Sequence, residues 1–542
     1  MDKIHEYYYQ IKNIEYIQKT YGKEAYVQVA GNTVLNQSQA GFWCALVNID
    51  DLEIVKSHHG WDIPKGTNSP CFEICNNEVT YVWNTLGEPY IEHIVNQRDF
   101  YEIKPAYSEL VDEFVLLNNL YLDKNTDIYY CIKNNGICEE VAKVTDNTNV
   151  FIKLKYLIKY ATAKQMALLL FFDIRTKLNG TFKENKLNKF CENYNEDNLV
   201  YSIWGDENTF SNHLFSVLMG KKIILPKSIE ECGYWPYDKK NDYEEFIIGI
   251  NEYGDNILYT SNPDKLSNYF GANEGAPHYL TPIFFKKEVL QKYYSHNDIY
   301  TIEDSRLSCK SLWSLSIDNH HNDVVSVYLG DLGRDLPIEE QPHWKSYNIV
   351  YDKGISKVQF KRDFCCIPTN PEIADLKFKT DFSYFQKQWH NKFGWYLFLP
   401  LTSDDEYNFN NIHIPIVNTQ DEFDNLVLSL VKTIIDSINE KELKNLLKDT
   451  SDKKSGKELK GSISILERWF EEKKLIGYTT HIEFLRNLQN LRSSGTGHRK
   501  GSNYDKISKE FNLNAESYIN VFDSILEKTN IFLSYLNNTF LA

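Results

Sequence analysis

The period of the apolar pattern changes near residue 410, and that change divides what the chain can fold into. Downstream, Phe423, Val427, Leu430, Val431, Ile434 and Ile438 recur at helical spacing. Residues 463–474 and 481–491 read as shorter amphipathic helices. Residues 515–536 read as a long final helix, with Asn514 as its N-cap and Ile519, Phe522, Leu526, Leu533 and Leu536 facing inward. Four or more helices with short connections over residues 417–542 predict a helical bundle.

Upstream, the strand period dominates. The segments AYVQVAG, GFWCALVNI and EVTYVWNT lie between Gly, Pro and Asn punctuation and predict strands. Asn134–Asn135–Gly136 between IYYCIK and ICEEVAKV is a hairpin signal. Leu154, Leu157, Ile158 and Ala161 make one helical face, and MALLLFF at 166–172 predicts a buried strand. Hairpins are expected at 246–261 and 312–333, with β pattern continuing through WKSYNIVYDKG and VQFKRDF to a last strand at GWYLFLPL. The lysine-rich run 176–195 reads as a loop at a subdomain boundary. The expected class is α+β and multidomain: a mixed α/β domain at 1–195, a β-rich domain at 196–402, a polar linker at 403–416 and the bundle at 417–542. Abundant Tyr (37) and Phe (30) against scarce Met (3) suit β-rich domains with aromatic cross-strand pairs.

Composition excludes several classes. No eighteen-residue apolar run exists, so no membrane span is expected. The N-terminal MDKIHEYYYQ lacks the apolar core of a signal peptide. The ten cysteines include no CxxC pair, which predicts reduced thiols and a cytoplasmic protein. There is no GxxxxGK, HExxH or GxSxG, so nucleotide hydrolysis, zinc proteolysis and serine hydrolysis lack support. Net charge is −16, yet residues 421–542 hold 18 basic and 18 acidic residues, and 451–500 hold 11 and 6, a local +5. A basic patch within an acidic chain fits local phosphate contact.

That positive stretch contains LRNLQNLRSSGTGHRKGSN at 485–503. Arg492 ends an apolar helical stripe, five small or polar residues follow, and His498 precedes Arg499 and Lys500. Histidine moves protons near neutral pH. Arginine offers a planar fork of donors to the charge that builds on a phosphorane. Gly495 and Gly497 ease the turn that would bring both side chains to one cleft. The bland alternative is a helix C-terminal cation and a surface histidine.

An arginine, four to six residues and a histidine at a helix end within a helical bundle resemble the HEPN family, many of whose members are metal-independent ribonucleases. The position after the arginine, often Asn, Asp or His in active members, is Ser493. The resemblance covers 417–542 and implies an endoribonuclease of toxin or antiviral type. His498 would be the general base or acid and Arg492 the phosphorane partner. Ser493 would orient His498 or hold a phosphate oxygen, and Arg486, Arg499 and Lys500 would bind RNA. No metal or other cofactor is implied. A homodimer through 417–542 is expected, with residues 1–402 sensing a ligand or protein trigger. The competing expectation is a non-catalytic, ligand-sensing protein with a helical dimerisation or RNA-binding tail.

Three further constellations stand out. His58, His59, Cys71 and Cys75 have the right types for zinc but poor spacing. Asp318, His320, His321 and Asp323 share a turn that could hold a metal. Asp331, Arg334 and Asp335 in GDLGRDLP suit either an anion site or a local ion pair.

Overall fold

The computed structural model describes residues 3–60, 71–82, 91–196, 198–208, 210–238, 242–402, 404–451, 458–495 and 507–541. The chain is mixed α/β, with a large antiparallel sheet towards its N-terminus and helices towards its C-terminus. It divides into two compact units. One comprises Met1–Lys133 and Ile137–Asn241, the other Asn134–Gly136 and Asp242–Ala542.

The first unit is built on strand Met166–Asn179, whose residues 166–172 are all buried. Leu168, Leu170 and Phe172 enter one apolar core, while Ala167, Leu169 and Phe171 enter another. A period of two with both faces covered is why MALLLFF reads as an unbroken apolar run. Ser38–Asn48 pairs on one edge and His213–Ile224 on the other, so Leu170 stands between Cys44 and Lys222. Among the described residues the sheet has eleven strands. From the central strand it runs one way through Ser38–Asn48, Tyr26–Leu35, Asn149–Lys153, Cys138–Thr145, Ile128–Ile132 and Leu120–Asp123. The predicted hairpin pairs Ile132 with Cys138, and helix Leu154–Lys164 lays Leu157, Tyr160 and Ala161 on the core.

The other direction corrects the expected boundary at 195/196. Leu199–Asn208 pairs with both Phe190–Glu196 and His213–Ile224, so a cut there would split the sheet. The division falls after Asn241. The run 176–195 is not a loop. The central strand continues to Asn179, a capping box between Thr181 and Glu184 starts helix Phe182–Asn185, and Phe190–Glu196 forms the sheet edge, where polar and charged side chains are exposed.

The second unit begins with small sheets. Glu245–Ile250 and Asn256–Thr260 form the predicted hairpin. The expected hairpin at 312–333 is reduced to a single antiparallel bridge between Asp318 and Ser326. Trp313–Ser316 pairs with Arg306–Cys309, Val324–Tyr328 pairs with Pro282–Lys286, and GDLGRD continues as helix Leu329–Asp335. The β pattern expected next is replaced by helices Gln341–Ser346 and Lys357–Asp363 flanking the two-residue strand Asn348–Ile349.

The helical part starts earlier than residue 417. Helix Ala374–Phe393 buries Phe378, Phe382, Phe385 and Trp389 at spacings of four, three and four, and Gly394 ends it with φ at 79°. These residues share one core with Leu430 and Ile434, with Ile482, Leu485 and Leu488, and with Phe532 and Leu536. The stretch 403–416 is no linker, because Ile412 and Ile414 are buried in that core and the Ile414 N–H donates to the Asp375 carboxylate at 3.0 Å. GWYLFLPL supplies Leu397 and Phe398 to the core, and its one strand-like contact is a bridge between Phe398 and Ile438. The last helix is Tyr518–Phe540, capped by Ser517, whose hydroxyl accepts from the Asn520 N–H at 3.2 Å; Asn514 is not the cap.

Helix Ala374–Phe393 is therefore part of the bundle's fold. Residues 417–542 alone are expected to unfold without cooperativity in urea, whereas residues 372–542 unfold cooperatively. In the full chain Trp389→Ala is expected to cost the second unit about 3–5 kcal/mol. Urea denaturation followed by circular dichroism checks both.

Candidate functional site

Helix Tyr478–Gly495 carries the candidate site. Ile482, Leu485, Leu488 and Leu491 are all at most 2% exposed and lie on one face. Arg492 follows that stripe directly and stands at its rim, half-buried. Its Nη2 lies 3.8 Å from the Asp436 carboxylate. Asp436 comes from a π turn, Lys432–Asp436, that extends helix Gln420–Val431. One wider turn rotates the residues beyond it, and such turns recur at functional sites. The pair is long and partly exposed, so it contributes at most about 1 kcal/mol and serves to orient the guanidinium.

The other expected residues divide. Ser493 stands beside Arg492, but its hydroxyl donates back to the Gln489 carbonyl at 2.9 Å. Arg486 lies about 9 Å earlier along the helix axis and pairs with Glu467 of helix Ser462–Glu472, Nη1 to Oε1 at 3.3 Å and Nη2 to the other oxygen. That makes Arg486 an interhelical tie. His498, Arg499 and Lys500 lie outside the described residues. Asp436 is the residue that sequence reasoning misses. Its pairing depends on the π turn, and nothing in the spacing of VKTIIDSIN announces one.

The same helix lines a cavity of about 330 Å³ through Thr480, His481, Phe484 and Asn487, closed by Phe511 and Lys528. Burial holds the His481 imidazole below its ordinary pKa, between the rings of Phe532 and Tyr535.

The His58, His59, Cys71 and Cys75 set includes side chains outside the described residues, and the other two constellations are engaged within the fold. Among the described residues no group of three His, Cys, Asp or Glu side chains could hold a metal ion. Asp318 is buried and accepts the Ser356 N–H at 2.7 Å. His320 Nε2 meets Asp304 at 2.9 Å, and Arg362 grips the same carboxylate with two N–H groups at 2.9 and 2.8 Å. Burial alone would raise the Asp304 carboxyl. The hydrogen bonds and charges of His320 and Arg362 outweigh burial and hold it below the usual carboxylate range. Arg334 grips Asp335 at 2.7 Å and reaches Asp331 at 2.9 Å, a local ion cluster that Tyr279 joins through its hydroxyl.

No described helix is long and apolar enough to cross a membrane. Comparison of the chain with protein-family models, with curated proteins and with solved structures gave no match.

Because the folded pKa of Asp304 is depressed, its contribution to stability is present above about pH 4 and lost as pH falls towards the folded value. Asp304→Asn is expected to destabilise by about 2–3 kcal/mol at neutral pH, where a charge-assisted pair is lost. That difference should shrink below about pH 4. Urea melts of both proteins across pH check this.

Proposed function

We infer that the chain is a metal-independent endoribonuclease of HEPN type, acting as a toxin or in antiviral defence. The observation that carries this reading is the place of Arg492. It stands at the rim of the buried face of a helix in a helical bundle, with an acidic partner from a neighbouring helix to orient it. The RNA 2′-hydroxyl attacks the adjacent phosphorus, the new 2′-O–P bond forms and the 5′-O–P bond breaks. His498 takes the hydroxyl proton or returns one to the 5′-oxygen, and two copies of the pair in a homodimer supply both roles. Arg492 faces the charge of the phosphorane. Single-stranded RNA suits this chemistry, because its backbone can reach the in-line geometry. The chain before helix Ala374–Phe393 acts as the sensor or restraint.

A second reading takes the bundle as a non-catalytic dimerisation or RNA-binding tail. The local hydrogen bond of Ser493 and the Glu467 partner of Arg486 favour it, since both groups are used within the fold.

The readings separate in EDTA. Wild type is expected to cut RNA and leave 2′,3′-cyclic phosphate ends, and His498→Ala is expected to be inactive. Arg492→Ala should lose about 10²–10³ in kcat, and Asp436→Asn a few-fold. Equal cutting by wild type and His498→Ala would remove the assignment.

A further inference from the structure

Positive charge is also gathered in the first unit, on the surface where strands Cys138–Thr145 and Asn149–Lys153 run into helix Leu154–Lys164. Three ammonium groups converge on one carboxylate. Lys133, Lys153 and Lys155 lie 2.7, 2.9 and 2.5 Å from the Glu139 oxygens, and the Tyr156 hydroxyl donates to the same group at 3.1 Å. Burial alone would raise the Glu139 carboxyl, but the three lysines hold it well below the ordinary range. One carboxylate thus faces three cations, and Lys133 and Lys155 remain 44% and 62% exposed.

The patch extends over aromatic faces. Lys143 lies 5.3 Å from the Tyr26 ring centroid and 5.7 Å from that of Phe151, and Lys153 covers the same tyrosine at 5.4 Å. Along the helix, Lys159 sits 3.9 Å from the Tyr234 ring. Burial lowers the Lys159 pKa, and the charge of Lys133 lowers it further, which places the two cations within each other's field. Next to Tyr234 the Trp235 side chain is 86% exposed. Five lysines against Glu139, Glu140 and Asp238, whose charge reaches Lys159, leave a local +2 in a chain whose net charge is −16.

We propose that this face of the first unit binds single-stranded RNA, with the lysines on successive phosphates and a base stacked on Trp235. Cations interleaved with aromatic faces are how proteins hold single strands without reading sequence. A narrow strand can follow the patch and avoid the surrounding acidic surface. A membrane presents a broad negative plane that the remainder of an acidic chain repels. The proposal rests on RNA being the substrate class and names where the chain captures it, apart from the residues that cut.

Binding is read separately from cutting. The probe is a fluorescein-labelled single-stranded RNA, followed by anisotropy in EDTA on the full-length His498→Ala chain, with cleavage scored in parallel on the wild-type background. Lys143→Gln with Lys155→Gln is expected to weaken binding about tenfold at about 50 mM salt, and to flatten the log–log salt dependence by about 1.4 for two lost phosphate contacts. Lys143→Arg with Lys155→Arg should bind like the parent, which separates lost charge from damaged structure. Trp235→Ala is expected to weaken RNA binding about fivefold or more and leave binding of heparin, which has no bases, unchanged. Unaltered affinity and salt slope in the glutamine pair would overturn the proposal. So would no RNA binding by any variant, or binding to phosphatidylserine vesicles in place of RNA. Weakened RNA binding in the glutamine pair, with no cutting by wild type, would keep this surface and remove the nuclease assignment. Cutting with unaltered binding would do the reverse.

Discussion

The apolar seam of Ile482, Leu485, Leu488 and Leu491 sets everything that helix Tyr478–Gly495 can present. Each of those side chains gains about 1.5–3 kcal/mol by leaving water, and together they fix the rotation of the helix. A slip of one residue would turn Arg492 into the core and a leucine out. The guanidinium therefore reaches the rim through the packing of its neighbours, not through its own weak ion pair. The π turn at Lys432–Asp436 completes the arrangement, because it carries the Asp436 carboxylate to within 3.8 Å.

Charge in this chain is segregated. An overall −16 would keep RNA away from most of the surface, so contact depends on local exceptions. One is the +5 stretch at 451–500, which surrounds the proposed cutting residues. The other lies around Glu139, where lysines outnumber carboxylates and lie on aromatic rings. On the proposed reading, acidic surroundings disfavour indiscriminate capture of RNA. In both, a carboxylate orders the cations: Glu139 gathers three lysines, and Asp436 faces Arg492.

What is legible in the sequence follows from which physical signals are local. MALLLFF, the Asn-Gly hairpin and the stripe from Phe423 onward are recoverable because period and turn chemistry act over a few residues. The 195/196 boundary fails because local composition does not report strand pairing, and Leu199–Asn208 joins the strands on both sides of it. The lysines lie in the end of the central strand, a short helix and the turn after it, and the edge strand Phe190–Glu196 that follows is revealed only by its partner, as in the pairing of Tyr194 with Tyr201. Helix Ala374–Phe393 carries its periodicity at Phe378, Phe382, Phe385 and Trp389, but its packing against the C-terminal helices is a long-range contact that the spacing does not report. Trp313–Ser316 and Val324–Tyr328 look like a hairpin and join different sheets, a choice made by distant partners. At the site, Arg492 and its rim position are legible from the leucine spacing. The Asp436 contact and the capture of Arg486 by Glu467 are not, since both are made between helices and depend on how those helices pack.

The most direct measurement compares one RNA with its 2′-O-methyl copy, each incubated with the purified full-length chain in EDTA. If the substrate's own hydroxyl is the nucleophile, the RNA is cut and the methylated copy stays intact, because the attacking oxygen can no longer lose a proton. Cutting of both strands would require a different nucleophile and contradict the assignment of Arg492 and His498.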